Sequence, residues 1–192
     1  MIGSKLFFGL AISMAGLVAI SNFLVQFPVN YFGMENVLTY AAFTYPTTFL
    51  ITDLANRKYG KFIARRIVYL GFFTGVLLTL FFSTNFQDLI SIRIAIGSGT
   101  AFLFAQLLDV NVFDILRRRI WFIAPLISSL LGSLVDTFLF FSISFYNTEM
   151  PWFSLAIGDF VVKLIMAILM LIPFRLFLKK ITDGTELSAK IS

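Results

Sequence analysis

Long apolar runs separated by short polar stretches make up most of the chain. The runs cover about residues 6–27, 36–55, 63–82, 89–116, 121–146 and 152–178. A helix rises about 1.5 Å per residue, so each run is long enough to cross roughly 30 Å of hydrocarbon. The runs are continuously apolar and lack the alternation of a membrane β-barrel. The pattern therefore predicts an all-α membrane protein, a bundle of six transmembrane helices.

The basic residues gather in the loops on one side of this arrangement. They precede the first span or follow the second, fourth and sixth: Lys5, Arg57, Lys58, Lys61, Arg65, Arg66, Arg117, Arg118, Arg119, Lys179, Lys180 and Lys190. The loops on the other side hold Glu35, Asp88 and Glu149, with Arg93 as the one cation nearby. Cytoplasmic loops carry an excess of lysine and arginine, so both termini are predicted to be cytoplasmic.

The composition agrees with a chain embedded in lipid. Of its 192 residues, 59% are hydrophobic and 13% are charged, and the mean hydropathy is +0.93. A soluble domain averages about half apolar and about a quarter charged residues. Because the spans leave no room for a soluble domain, residues 1–178 are predicted to form a single transmembrane domain and residues 179–192 a polar cytoplasmic tail.

Several kinds of chemistry are excluded by residues that the sequence lacks. It contains neither cysteine nor histidine, which removes thiolate and imidazole metal ligands and nucleophiles. It also lacks a phosphate-binding Walker loop. We therefore expect no enzymatic activity, no metal and no cofactor. The net charge of +5 comes from the basic loops, so a nucleic-acid partner is not expected.

Polar residues within the spans are the best candidates for function, because a buried charge in a membrane usually faces a cavity or a partner. In span one, Asn22 and Gln26 are four apart and share a face. They serve either as hydrogen-bonded links between helices or as ligand contacts. In span four, Gln106 and Asp109 are three apart on one face, with Asp109 nearer the cytoplasm.

The last two spans carry further polar residues at helical spacing. Ser129, Ser133 and Asp136 form a polar stripe along span five. In span six, Asp159 and Lys163 are four apart in the order that favours an ion pair. Such a pair either only makes insertion tolerable or contributes to a site. We favour a site, because leucine and valine would insert better.

Two more charges lie near the ends of spans. Arg93, near the outer mouth of span four, either extends to the lipid headgroups or pairs with Asp136 or Asp159. Asp53, at the inner end of span two, is expected to face Arg57 or the basic loop. We assign Asp53 a structural or gating role rather than a ligand contact.

Aromatic residues near the polar groups offer flat faces to a planar ligand. Phe43 and Tyr45 are the candidates in span two, where Pro46 breaks a helical hydrogen bond and is assigned a gating or structural role. The sequence thus predicts a polar pocket for a small solute in the outer half of the membrane. Its candidate substrate-binding residues are Asn22, Gln26, Phe43, Tyr45, Arg93, Gln106, Asp109, Ser133, Asp136, Asp159 and Lys163.

At these positions the chain resembles the bacterial queuosine precursor transporters of the vitamin uptake transporter family. The matching segments are SNFLVQFPV (21–29), AFTYP (42–46), TDL (52–54), YG (59–60), ARR (64–66), RIA (93–95), QLLDV (106–110), VF (112–113), WFIAP (121–125), DT (136–137), FF (140–141) and GDF (158–160), followed by Lys163. Their order and spacing, from about residue 20 to 175, carry the resemblance.

The resemblance implies import of 7-cyano-7-deazaguanine (preQ0), or of its aminomethyl analogue preQ1, across the bacterial inner membrane for queuosine modification of tRNA. It also implies transport without an ATPase subunit. A deazaguanine presents N1–H and a 2-amino group side by side, which one carboxylate can accept. Asp136 or Asp159 is the expected carboxylate. The groups expected to serve the 6-oxo oxygen are Gln26, Gln106, Arg93 and Lys163.

Two other functions are compatible with the sequence. One is the substrate-binding subunit of an energy-coupling-factor vitamin importer, which is also a six-helix bundle and needs an ATPase module. The other is a scaffold or assembly factor whose buried charges only pair with one another. The energy source is equally open: Asp109 can carry a proton, or transport is facilitated diffusion.

Overall fold

The computed structural model describes residues 2–31, 33–34, 38–82 and 88–179. The helices in these residues are α1 (Ile2–Leu24), α2 (Ala41–Thr44), α3 (Pro46–Tyr59), α4 (Lys61–Phe82), α5 (Leu89–Leu116), α6 (Ile123–Phe145) and α7 (Trp152–Leu169). After a turn at Met170, helical backbone continues over residues 171–179. Within the described ranges, extended backbone pairs only in an isolated bridge between Pro28 and Thr39. The predicted all-α class is confirmed.

Long apolar helices form most of the bundle. Those with the length and composition to cross a membrane are Leu6–Leu24, Lys61–Phe81, Leu89–Leu116, Ile123–Phe145 and Trp152–Lys179. They confirm five of the predicted spans, with boundaries a few residues from those predicted. Large apolar side chains such as Phe8, Ile12 and Phe73 are exposed on their outer surfaces. Surfaces of this kind are suited to contact with lipid.

The second predicted span, residues 36–55, is divided where Pro46 was expected to interrupt it. Residues 35–37 lie outside the described ranges, and the helical backbone that follows is divided into α2 and α3 at Tyr45. Pro46 begins α3 and has no N–H, so the helical bond to Ala42 cannot form. Residues 48–56 of α3 are all buried, which shields their polar side chains from lipid.

Helices α1 and α4 run parallel and approach each other closely. Val18 of α1 packs against Gly75 of α4. One turn further along both helices, Asn22 of α1 contacts Thr79 of α4. A Cβ atom on Gly75 would lie 2.5 Å from Cγ1 of Val18, so this approach needs glycine. The start of α1 therefore lies at the same end of the bundle as the start of α4.

The junction of α3 with α4 lies beside the junction of α5 with α6. Nη1 of Arg57 donates to the carbonyl of Arg117 at 2.6 Å, and Lys61 pairs with Asp114 at 3.4 Å. Gly60 supplies the turn between α3 and α4, with a φ of +82° that favours glycine. We call this the basic end of the bundle, because it brings together the lysines and arginines of these two junctions.

The last described helical segment also ends at the basic end. The guanidinium of Arg175 lies 4.8 Å from the centroid of the Trp121 ring, which belongs to the junction of α5 with α6. The side chain of Lys5, residue Glu35 and residues 180–192 of the predicted tail lie outside the description. Lys179, the first residue of that predicted tail, is still helical.

Candidate functional site

The charged residues predicted in spans five and six meet between α6 and α7. Nζ of Lys163 lies 2.6 Å from Oδ2 of Asp159, one turn earlier on α7, and 2.7 Å from Oδ2 of Asp136 on α6. Lys163 also donates to Oγ1 of Thr137 at 3.2 Å, and Thr137 donates to Oδ2 of Asp159 at 2.8 Å. The predicted ion pair between Asp159 and Lys163 is confirmed. We call these four residues the Lys163 cluster.

The Lys163 cluster is buried and has one acceptor without a well-formed hydrogen bond. The exposed fraction is 4% for Lys163, 3% for Asp136 and 7% for Asp159. One ammonium faces two carboxylates, and Oδ1 of Asp136 makes no hydrogen bond of good geometry among the described residues, although the hydroxyl of Tyr45 interacts with this carboxylate. Leaving a buried acceptor unsatisfied costs about 1–3 kcal/mol. A ligand N–H that reached Oδ1 would remove this cost.

A cavity adjoins the Lys163 cluster, and we call it the central cavity. It encloses about 360 Å³ of empty space including its mouth. The space inside it that is open to water-sized atoms is about 30 Å³, so the surrounding helices must move apart to admit a planar ligand. Residues from α1, α5, α6, α7 and the α2–α3 region line it, among them Asn22, Val25, Tyr45, Ser98, Asp136, Phe140, Asp159 and Lys163. The centroid of the Tyr45 ring lies 5.3 Å from Nζ of Lys163.

A wider hollow lies next to the central cavity, and we call it the vestibule. It holds about 1060 Å³ including open solvent and is lined at its rim by Gln26, Asp88 and Met150. These residues belong to the loops at the end of the bundle opposite the basic end. Asn22 and Val25 line both hollows, so these two residues separate the vestibule from the central cavity. Gln26 is therefore placed in the vestibule and not beside the Lys163 cluster.

Asn22 links three helices. Its Nδ2 donates to Oγ1 of Thr79 on α4 at 2.7 Å, and its Oδ1 accepts a hydrogen bond from the hydroxyl of Ser98 on α5. Asn22 was predicted either to link helices or to contact a ligand, and the structure shows the link between helices. Contact with a ligand stays a prediction; Asn22 lines the cavity, but both polar atoms of its amide are already bonded to other helices.

Arg93 does not pair with the carboxylates that were suggested as partners. Its Nε donates to the carbonyl of Ile143 at 3.1 Å, and Nη2 donates to the carbonyl of Tyr146 at 2.7 Å. Arg93 thus binds the end of α6, where carbonyl groups without helical partners attract a cation. Asp136 and Asp159 already share the ammonium of Lys163, so they need no second cation nearby.

Gln106 lies in a separate hydrogen-bonded group between α3 and α5. Its Oε1 accepts from Thr52 at 2.5 Å, and its Nε2 donates to Thr48 at 2.8 Å. Gln106 is fully buried and does not line the central cavity. Its predicted contact with the 6-oxo group of a ligand is therefore not supported by its position.

Asp53 and Asp109 face each other on the basic side of Gln106. Asp53 accepts hydrogen bonds from Ser128 at 3.3 Å and Ser129 at 3.4 Å on α6. Asp53 was expected to face Arg57 or the basic loop; Arg57 interacts with Asp53 through its charge, while its Nη1 donates to the carbonyl of Arg117. Asp109 interacts with the carboxyl of Asp53 and lies outside the central cavity. We call the two carboxyl groups the inner carboxylate pair.

Ser133, Pro46 and Phe43 also lie away from the central cavity. Ser133 and Pro46 line a smaller cavity together with Asp53, and we call it the inner cavity. Phe43 is 42% exposed, because the opposite face of α2, with Ala42, packs into the bundle. The structure therefore brings Asn22, Tyr45, Asp136, Asp159 and Lys163 of the predicted set together around one hollow.

Several polar residues of the interior were not singled out from the sequence. Thr48, Thr52 and Asn56 are buried and follow one another at four-residue intervals, which places them on one face of α3. That spacing is a readable signal of a polar contact surface. Thr137 and Ser98 carried no such signal, because each is a single hydroxyl residue whose partner lies on another helix.

The long apolar helices fit a multi-pass membrane protein, and buried charges beside a cavity are typical of the class of membrane transporters. Residues 39–178 match the family model described as "Putative vitamin uptake transporter". The chain belongs to this vitamin uptake transporter family, which confirms the predicted family.

Three bacterial relatives are named as queuosine precursor transporters, two of them as probable ones. The "Queuosine precursor transporter" of Escherichia coli (strain K12) is 32% identical over 209 residues, covering 96% of this chain and 94% of the relative. A "Probable queuosine precursor transporter" of Haemophilus influenzae is 35% identical over 188 residues, covering 82% and 79%. One from Bacillus subtilis, with the same wording, is 31% identical over 193 residues, covering 88% and 82%. No solved structure matches the chain.

Proposed function

We propose that this chain imports a queuosine precursor, preQ0 or its aminomethyl analogue preQ1, for tRNA modification. The observation that carries the proposal is the buried carboxylate of Asp136, whose Oδ1 makes no well-formed hydrogen bond, beside a cavity that Lys163 and Tyr45 also line. The names of the relatives support the same class of substrate.

The donors and acceptors of a deazaguanine are complementary to this cavity. The N1–H and 2-amino groups donate to the carboxylate of Asp136, whose oxygens have lone pairs left beside the bond to Lys163. The 6-oxo oxygen accepts from the ammonium of Lys163 in place of the hydroxyl of Thr137, which is the longest of the three contacts of that ammonium. Charge-assisted hydrogen bonds of this kind are short and strong. The Lys163 cluster thereby selects the edge of the base.

The flat ring of the ligand packs against aromatic side chains. Tyr45 and Phe140 both line the central cavity, on different helical segments. A stacked aromatic pair contributes about 0.5–1.5 kcal/mol beyond the area that it buries. In this arrangement the aromatic residues bind the ring and the Lys163 cluster binds its polar edge.

The orientation follows from the positions of the basic residues. We place the basic end in the cytoplasm, because lysine and arginine concentrate in cytoplasmic loops. The central cavity then lies behind the vestibule, which opens to the outside of the bacterial inner membrane. In this proposal α2 and α3 together make one further crossing, so the single domain of residues 1–178 crosses six times with both termini inside.

Uptake by the purified chain in liposomes tests this proposal. We expect saturable uptake of labelled preQ0 without any ATPase subunit, and competition by unlabelled preQ1 measures the preference between the two. Asp136→Asn and Asp159→Asn are each expected to lower uptake by about tenfold or more, because each removes a charged hydrogen-bonding group. The matched control is Asp114→Asn, which removes a partly exposed carboxylate at the basic end.

The alternatives predict different results in the same experiment. An energy-coupling-factor subunit would bind the ligand but transport it only when an ATPase module is added. A scaffold would show no saturable binding. If inserted wild-type protein neither binds nor transports a deazaguanine, or if both aspartate variants transport it as wild type does, the proposal is wrong.

A further inference from the structure

A second charged group is buried on the basic side of the central cavity, and nothing proposed so far uses it. It is the inner carboxylate pair, Asp53 of α3 and Asp109 of α5, with exposed fractions of 2% and 0%. The two carboxyl groups interact directly. Neither oxygen of Asp109 makes a hydrogen bond of good geometry among the described residues, although the hydroxyl of Ser128 also interacts with this carboxyl group.

The groups around the inner carboxylate pair are mostly uncharged. From α6 it is faced by the hydroxyls of Ser128 and Ser129, which donate to Asp53 at 3.3 Å and 3.4 Å. The last helical region contributes only apolar side chains to the inner cavity beside Asp53, such as Met170 and Phe174. No ion pair joins the inner carboxylates to a cation within the described ranges.

The basic residues of the neighbouring helices have other partners. Arg57, one turn from Asp53 on α3, donates to the carbonyl of Arg117 and lies over the ring of Phe113. From α4, Arg65 donates to Asn111 of α5 at 2.5 Å, and Lys61 pairs with Asp114. The charge of Arg57 acts on Asp53 without a direct ion pair, so this one cation offsets at most one of the two inner carboxylates.

Two buried carboxylates in contact cannot both remain ionised without a counter-charge. Like charges at short range repel, and each ion also loses its hydration on burial. A proton shared between the two oxygens removes one charge and supplies the missing hydrogen bond to Asp109. A buried pair of this kind is therefore a proton-binding site by its chemistry.

We propose that the inner carboxylate pair binds the proton that is transported together with the ligand. This inference rests on the proposed function, because it assigns the energy source of the same import. The proton enters from the outside while the Lys163 cluster holds the deazaguanine, and it leaves to the cytoplasm after the ligand.

The polar side chains between the two sites provide a physical connection. On α6, Ser133 lies one turn from Asp136 and lines the inner cavity with Ser129 and Asp53. On the α3 side, Thr52 precedes Asp53 and donates to Gln106. A change in helix position at the Lys163 cluster can therefore reach the inner carboxylate pair through α6.

The test compares net accumulation with exchange in liposomes containing the purified full chain and labelled preQ0. Counterflow at equal pH needs no energy source and measures ligand transport alone. With the outside one pH unit more acidic, one proton per ligand allows about tenfold accumulation. We expect wild-type protein to accumulate preQ0 in this gradient and not in a sodium gradient.

Neutral substitutions in the inner carboxylate pair test proton coupling separately from transport of the ligand. Asp53→Asn and Asp109→Asn keep the shape of the side chain, and we expect the accumulation ratio in the pH gradient to fall to about one. The matched control Asp114→Asn is expected to accumulate as wild type does. A readout without substitutions is proton uptake from weakly buffered solution when preQ0 binds to wild-type protein, which linkage requires.

The outcomes distinguish this inference from the proposed function. Absence of counterflow by wild-type protein contradicts the proposed function and the inference together. Suppose that counterflow occurs but that accumulation of preQ0 does not depend on the pH gradient, or depends on a sodium gradient. Either result overturns the inference and leaves the proposed function intact. The same holds if both asparagine variants still accumulate preQ0 in the pH gradient, or if ligand binding takes up no proton.

Discussion

Nζ of Lys163 lies 2.7 Å from Oδ2 of Asp136, and the two residues belong to neighbouring membrane-spanning helices. Both side chains are almost completely buried. Removing two ions from water is costly, and well-packed apolar residues often replace such pairs without loss of stability. The pair is therefore better explained by a ligand that it binds than by the folding of the bundle.

Removal of the ammonium should destabilise the protein strongly. Lys163→Met leaves Asp136 and Asp159 facing each other without a cation, and breaking a buried pair in this way costs about 3–5 kcal/mol. Thermal unfolding in detergent measures the loss. The matched control is Lys61→Met, whose partner Asp114 lies at 3.4 Å in a partly exposed site where an ion pair contributes about 0–1 kcal/mol. Equal effects of the two substitutions would contradict this account of the Lys163 cluster.

The ring of Tyr45 should matter more than its hydroxyl. Tyr45→Phe keeps a flat face on the central cavity, whereas Tyr45→Leu removes it. Loss of a stacking partner of about 0.5–1.5 kcal/mol corresponds to a Kd for preQ0 about two- to tenfold higher. Equilibrium binding to the purified variants measures the difference. A Kd for the phenylalanine variant as high as that for the leucine variant would show that the ring does not stack on the ligand.

Asn22 should affect stability more than ligand binding. Its amide joins α1 to Thr79 on α4 and to Ser98 on α5, and Asn22→Ala leaves both partners unsatisfied. We expect a loss of about 1–3 kcal/mol in stability, measured by thermal unfolding. The Kd for preQ0 should stay within about threefold of wild type, a difference of less than about 1 kcal/mol. Ile20→Ala, at an exposed position on the same helix, is the control.

The close contact of α1 with α4 can be tested with two glycines. Gly75→Ala places a Cβ 2.5 Å from Val18, and overpacking of this kind costs about 1–3 kcal/mol. Gly16→Ala adds the same atom where nothing lies within 4 Å, and alanine favours the helix. The first variant should unfold at a lower temperature than wild type and the second should not. Equal unfolding temperatures for the two variants would show that α1 and α4 do not pack in this way.

Hydropathy predicted the long helices because lipid requires an apolar surface over a fixed thickness. The same requirement does not apply to α3, whose residues 48–56 are shielded by the other helices. Pro46 predicted the interruption before α3, whereas the burial of α3 among the other helices needed coordinates. The pair of Asp159 and Lys163 was predictable, since four residues on one helix fix the geometry.

The partners across helices were not predictable in the same way. A sequence indicates how deep each residue lies in the membrane. It does not give the rotation of a helix about its own axis relative to the neighbouring helices. For this reason Arg93 was placed near Asp136 and Asp159, although it binds the carbonyls at the end of α6. The carboxylates also appeared as one group, whereas helix packing separates Asp136 and Asp159 from the inner carboxylate pair.

The most direct test of the central claim is a binding measurement with two ligands and two proteins. Wild-type protein should bind preQ0 about 10- to 100-fold more tightly than the analogue without the 2-amino group, because the carboxylate of Asp136 then loses a donor. Asp136→Asn should bind the two ligands with affinities within about threefold of each other. If wild-type protein does not distinguish the ligands, or if the variant distinguishes them as strongly, Asp136 does not recognise the base.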